Sequence, residues 1–275
     1  MRNISNVDNC NLYPFSIADS GKYAVFPFIR DGKTLDEISC IITLRGAGDT
    51  RYDVTREKIF QELGIENKKI FYGEQTHSRN VSVVKKSDAP PLPDTDGLVT
   101  KDFDSGLFVN VADCLPVFLY DAQGGAFSVL HSGWKGTGIV ENALRLMAEA
   151  FETKPENVAA VLGPCIRSCC YNVDAERSAL YEKEFGGAGN NAKAFPLGPV
   201  AQKKETAKGT EHYIDMQAAN AALLVKNNVR DIAYCTDCTF TDKRFGSYRG
   251  QGAREFTKMM ALAVKLNNSR GSGHV

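Results

Sequence analysis

Gly106–Phe151 reads GLFVNVADCLPVFLYDAQGGAFSVLHSGWKGTGIVENALRLMAEAF, and the order of its apolar runs decides the fold class. Leu107 to Val111 is a strand-like run that delivers Asp113 and Cys114. Val117 to Tyr120 is a second run, turned at Gly124-Gly125 into a third, Ala126 to Leu130, which ends on His131. The glycine-rich SGWKGTG follows at once. Beyond it Val140, Ala143, Leu144, Met147, Ala148 and Phe151 recur at the three- and four-residue spacing of an amphipathic helix. A thiol and an imidazole therefore stand at strand ends, beside a glycine loop that feeds a helix N-terminus. Strand ends facing loops are where α/β proteins place chemistry.

Working outward, Tyr23–Ile29 and Ile38–Leu44 read as strands joined by a turn at Asp31-Gly32. Val54–Leu63 reads as a helix stopped by Gly64. Ile70–Tyr72, Val81–Val84 and Leu98–Thr100 read as short strands, separated by loops that carry His77 and the proline-rich segment 87–97. Downstream, a strand at Val158–Leu162 and a helix at Ala175–Phe185 precede a surface excursion over 186–211. A helix at Ile214–Val225, a strand at Ile232–Cys235 and a last helix at Phe256–Leu266 follow. Strands and helices alternate without a linker, which predicts one mixed α/β domain over 1–275, with 268–275 a flexible tail.

Lys+Arg and Asp+Glu number 33 each in 275 residues, so no net field favours nucleic acid or a membrane surface. No apolar run approaches the roughly 18 residues of a spanning helix, and the first 20 residues lack the apolar segment of a signal peptide. The expected setting is cytoplasmic and reducing. There, eight cysteines are thiols or ligands rather than a disulfide framework.

The chain has four histidines, and two of them, His77 and His131, follow strand-like runs as Cys114 does. Two imidazoles and a thiolate are three ligands that leave a fourth position open, the donor count of a catalytic zinc site. The alternative is that Cys114 is a small buried hydrophobe and the histidines are ordinary loop residues; no short ligand motif decides between them. Asp94, Asp96 and Asp113 lie near these positions, and Asp113, adjacent to Cys114, is the first choice for acid/base or ligand-orienting work. Ser132–Gly138, with Lys135 and Gly136, either cradles an anion at the helix N-terminus or is a tight turn without a ligand. Cys165, Cys169 and Cys170 with Cys235 and Cys238 are a thiolate-zinc pattern or inert core thiols.

GEQTHSRNV (73–81), DTDGLVT (94–100), VADCLPVFLYD (111–121), VLHSGWKGT (129–137), GPCIRSCCYNV (163–173), YIDMQAAN (213–220) and FGSYRGQG (245–252) resemble, in order, the YfiH/laccase-domain family of polyphenol oxidases. The resemblance runs over about residues 40–265. It implies a four-layer α/β/β/α sandwich related to the catalytic domain of cytotoxic necrotising factor toxins. It implies zinc ligands at His77, Cys114 and His131, with copper possible at the same site, and a phosphate-side arginine at Arg56. Thr55 stands where the family has Asn, the segment 28–46 matches poorly, and SYRGQG keeps Arg249 but loses its basic neighbour.

The implied activity is phosphorolysis of purine nucleosides (adenosine, inosine, guanosine or methylthioadenosine, with phosphate), with adenosine deamination as a companion; the expected state is a monomer or weak dimer. Alternatives are a laccase-like copper oxidase, a Cys114–His131 amide hydrolase and a factor editing peptidoglycan precursors. Four histidines are too few for a multicopper centre.

Overall fold

The computed structural model describes residues 10–18, 21–189, 197–207 and 209–266. In chain order, β1 (Asn11–Phe15) precedes the hairpin β2 (Tyr23–Arg30) and β3 (Lys33–Thr43), helix α1 (Asp53–Leu63), and the short strands β4 (Lys69–Phe71), β5 (Val81–Val83) and β6 (Gly97–Thr100). Next come β7 (Ser105–Val111), β8 (Leu115–Asp121), β9 (Phe127–Ser132), α2 (Ile139–Phe151), β10 (Val158–Leu162), β11 (Asn172–Val173) and α3 (Ala175–Gly189). The hairpin β12 (Ala201–Thr206) and β13 (Gly209–Ile214), then α4 (Met216–Lys226), β14 (Asp231–Cys235), the four-residue α5 (Tyr248–Gln251) and β15 (Met259–Val264) complete the order.

The two strands that flank Cys114 lie in different sheets. β7 belongs to a five-stranded sheet ordered β2-β3-β15-β7-β4, and β8 to a seven-stranded sheet ordered β1-β14-β10-β8-β9-β6-β5. Side chains alternate across each strand, and each face has its own partner layer. Leu107, Val109 and Val111 of β7 meet Phe118 and Tyr120 of β8 in a core between the sheets. Phe108 points the other way, onto Ile59 of α1. Val117 and Leu119 pack under α2, α3 and α4. The layers are therefore helix, sheet, sheet, helices, a four-layer α/β/β/α sandwich as the resemblance implies.

Helix α2 buries Ile139, Val140, Ala143, Leu144 and Met147 as its inner stripe. Each larger member contributes about 1.5–3 kcal/mol by leaving water, so the helix start is held where the glycine loop places it. Gly64 ends α1 in the left-handed region at φ 67°, where a side chain is disfavoured. None of the helices among the described residues is long and apolar enough to cross a membrane.

Two expectations fail here. The last helix expected at Phe256–Leu266 is instead strand β15, central between β3 and β7. Met259, Ala261 and Ala263 face the inter-sheet core while Met260, Leu262 and Val264 face α1, so all six are buried and no polar alternation betrays the strand. Within the supposed excursion over 186–211, β12 and β13 form a hairpin that joins β11 in a third sheet. Ile214 ends that hairpin rather than opening a helix, and Asp215 caps α4 by accepting the Ala218 N–H at 2.9 Å. The expected tail lies outside the described residues.

Candidate active site

The turn Ala112–Cys114 is the place where the chain leaves one sheet for the other. Asp113 takes φ 83° to make that turn, and β8 starts at the next residue after Cys114. Across the ladder from β8, His131 pairs with Pro116 and so stands beside the turn. His77 arrives from the loop between β4 and β5, itself in the left-handed region at φ 62°. Ligand atoms of His77, Cys114 and His131 lie within 4.8 Å of one another. Their burial is graded: His131 is buried, Cys114 half-buried and His77 exposed, so the group faces solvent on one side.

Asp96, at 0% exposure, ties this group together. Its Oδ1 accepts the backbone N–H of His77 at 3.1 Å and lies 2.7 Å from Nδ1 of His131. Its Oδ2 accepts the N–H groups of Thr76 and Ser78 at 3.0 and 2.8 Å, and the Ser78 hydroxyl at 2.8 Å. The His131 N–H also donates to the Asp96 carbonyl at 2.8 Å. One carboxylate therefore shapes the His77 loop and orients the His131 ring, leaving Nε2 free for the cluster. That is the role of the carboxylate behind a ligating histidine.

Burial opposes the charge on Asp96, yet hydrogen bonds from His131 and Ser78 hold its carboxyl well below the usual range. Burial likewise works against the Cys114 thiolate, but the His131 and His77 imidazoles outweigh it and bring the thiol down to about 6. His131 is pushed up to about 9 despite burial, by Cys114 and Asp96. The sulfur thus favours its thiolate form, the form that binds metal.

Asp113 does other work. Its two carboxylate oxygens accept the Thr239 hydroxyl and the Arg249 N–H, both at 2.7 Å, so it anchors the far wall of the site. Asp96, named among three candidates, takes the ligand-orienting place first assigned to Asp113. The glycine loop owes its composition to close approach: a Cβ on Gly136 meets the Ser78 carbonyl oxygen at 2.7 Å. A Cβ on Gly133 meets His77 Cδ2 at 3.1 Å and Cys114 Sγ at 3.2 Å. Gly133→Ala is therefore expected to weaken metal binding by about tenfold or more while the Tm moves little; equal metal affinity by chelator competition contradicts this.

The donor group opens into a cavity of about 500 Å³. Trp134, Tyr171, Tyr248 and Phe256 supply aromatic surface to it, and Arg177, Arg249 and Lys258 supply positive charge. Gln75 also borders it, linked to β7 by paired hydrogen bonds with the Asn110 backbone at 2.7 and 2.8 Å. Arg56 is absent from the lining. Its guanidinium donates to the Thr50 carbonyl at 3.0 Å, pairs with Asp53, and lies over the Tyr72 ring at 5.1 Å. Lys135 is exposed and borders a separate groove beside Arg79 and Lys183. The positive charge expected from Arg56 and Lys135 comes instead from Arg177 and Lys258, with Arg249 as foreseen. Arg177 precedes no motif and Lys258 stands just before β15, so neither carried a signal in the sequence.

The chain matches the family model described as multi-copper polyphenol oxidoreductase laccase over residues 44–265. It is 33% identical over 217 residues, 76% of this chain and 82% of the other, to a Streptomyces coelicolor protein named purine nucleoside phosphorylase. It is 28% identical over 219 residues, 71% of this chain and 78% of the other, to adenosine deaminase RL5 from an unknown prokaryotic organism. The crystal structure of the Bacillus licheniformis hypothetical protein YfiH superposes with TM-score 0.73 at 23% identity, covering 90% of this chain and 98% of that one, which establishes a common fold.

Proposed function

The chain belongs to the family described as multi-copper polyphenol oxidoreductase laccase, and from that premise we propose that it is a zinc-dependent purine nucleoside phosphorylase that also deaminates adenosine. The observation that carries this is the cavity itself: three metal-binding donors at its base, aromatic faces on its walls and three cations within reach. A nucleoside and a phosphate fit the few hundred cubic ångströms typical of small-molecule sites. The names of the Streptomyces coelicolor protein and of RL5 support both halves of the proposal.

Two imidazoles, one thiolate and a buried carboxylate behind His131 suit zinc in donor number and type. His77, Cys114 and His131 would hold the zinc, which would supply a Lewis acid at neutral pH. The remaining work falls to the chain. Tyr171 and Trp134 offer π faces to a purine, and Arg177, Arg249 and Lys258 offer phosphate its positive partners. Phosphorolysis breaks the bond from C1′ of the pentose to the base and forms one from C1′ to a phosphate oxygen. Deamination replaces the 6-amino group with oxygen from water. Asp96 keeps the His131 ring fixed through either reaction, because it is buried and held in place by the backbone N–H groups of Thr76, His77 and Ser78.

The donor count also bears on the copper reading implied by the family description. The described residues bring together two imidazoles and one thiolate, while His212 sits on β13 opposite Val173 and Lys203. Among the described residues, copper at that single place has no cluster of further histidines beside it to share the four electrons of dioxygen reduction.

Metal content and product chromatography test the proposal together. Adenosine is expected to give adenine only when phosphate is present, and inosine without it. Zinc-loaded protein that forms neither product overturns the proposal. Arg249→Ala and Arg177→Ala are each expected to raise the KM for phosphate about 10- to 100-fold, the loss of one charge-assisted hydrogen bond, with a smaller change in kcat. An unchanged KM in both variants removes them from the phosphate site.

A further inference from the structure

A second group of sulfurs lies apart from the cavity's donors. Cys169 and Cys170 follow β10 in one loop, and Cys238 follows β14 in another, with all three Sγ atoms within 4.8 Å. We propose that Cys169, Cys170 and Cys238 form a second metal site, a thiolate site for a soft closed-shell cation, zinc(II) or copper(I). Thiolate sulfur selects these cations over the hard divalent ones.

Three observations converge on it. The two loops are locked together before any cation arrives: Cys165 and Cys238 form a β-bridge, and the Thr239 N–H donates to the Cys165 carbonyl at 3.1 Å. Cys238 is buried and its sulfur accepts the Arg167 N–H at 3.4 Å, which suits a sulfur carrying negative charge. Cys169 is exposed and Cys170 half-buried, with their sulfurs 3.3 Å apart, so a cation has a path in from solvent. Cys165 and Cys235 are fully buried, and neither belongs to the group of three.

The place of the site gives it a consequence. Tyr171 stands next to Cys170, and its N–H donates to the Arg167 carbonyl at 2.8 Å. Thr239, next to Cys238, holds Asp113, which in turn holds the Arg249 N–H. A cation bridging the two loops therefore fastens the wall that carries Tyr171 and Arg249.

The test uses the full chain with Cys114→Ala, which removes the only thiolate of the first centre. That variant is expected to bind one zinc tightly, and its Tm is expected to rise with added zinc. Adding Cys169→Ser and Cys170→Ser, both toward the surface, is expected to lower the affinity about 100-fold or more and abolish the Tm rise. Without any substitution, zinc is expected to protect Cys169 and Cys170 from alkylation, read residue by residue by mass spectrometry, while Cys10 reacts as before. Repeating the titration with copper(I) under anaerobic reductant identifies which cation binds more tightly. The proposal is overturned by a Cys114→Ala protein that binds neither cation at micromolar concentration, by full affinity in the triple variant, or by absent protection. It is also overturned by a Cys170–Cys238 disulfide that forms in metal-free protein and resists mild reductant. None of these outcomes depends on whether the chain acts on nucleosides.

Discussion

Replacing Cys114 with alanine is expected to empty the first centre and to abolish phosphorolysis and deamination together. Cys114 is the one anionic ligand among the three donors, and the His131 and His77 imidazoles already hold its thiol near 6, poised as thiolate. Without it, two imidazoles remain, and one of them, His77, is exposed on a loop. Losing a Lewis acid worth several kcal/mol of transition-state stabilisation corresponds to about 10³-fold or more in kcat/KM. Folding should survive, since Cys114 lies in a half-buried turn and a methyl group replaces a thiol. The measurements are zinc per chain and both product assays on the same preparation, with Cys10→Ala as a control thiol. A Cys114→Ala protein that keeps its first zinc shows that other ligands hold it. Loss of zinc with retained activity moves the chemistry to the protein's own groups. An inactive variant that still turns on with thiol rescue, yet ignores chelators in the wild type, favours the Cys114–His131 hydrolase instead.

The parts of the site legible in the sequence were those whose residue type is itself the chemistry. His77, Cys114 and His131 could be named as candidates because imidazole and thiolate after strong apolar runs can ligate a metal, and the resemblance chose that reading over inert thiol and loop histidines. The four layers followed from the resemblance, while the residues alone gave only mixed α/β. β15 was hidden because a strand covered on both faces loses its alternation, and MMALAV is equally good helix. Arg56 was named from the resemblance alone, and Asp53 and the Thr50 carbonyl turn it back along its own helix. Arg177 and Lys258 reach the cavity only because α3 and β15 are brought around it, a long-range fact that no local pattern encodes. The same holds for the choice between Asp96 and Asp113. Both are acidic residues in short turns, and only the fold shows which one has the His131 ring against it.

Asp96→Asn is expected to be the most damaging change that leaves the ligands themselves intact. The carboxylate accepts from six donors (three backbone N–H groups, the Thr76 and Ser78 hydroxyls and the His131 ring), all within 3.3 Å. An asparagine of the same shape must present an NH₂ group to one side of that ring of donors. At least one backbone N–H then faces another donor in a buried place, a cost of about 1–3 kcal/mol for each group left without an acceptor. For a chain of this size about 2–4 °C of Tm follows each kcal/mol, so a fall of roughly 2–12 °C for each group left without an acceptor is expected in metal-free protein. The His131 ring loses its anionic partner as well, which for the carboxylate behind a ligating histidine costs about 10- to 100-fold in metal affinity or activity. Asp94→Asn is the matched control. Asp94 is exposed and holds only the Thr76 hydroxyl and the Asn80 side chain, so a change under about 1 kcal/mol is expected there. Scanning calorimetry of the metal-free variants and competition for zinc against a chelator separate the two effects. If Asp96→Asn melts with the wild type and binds zinc as tightly, the buried carboxylate is not what holds His77 and His131 in register.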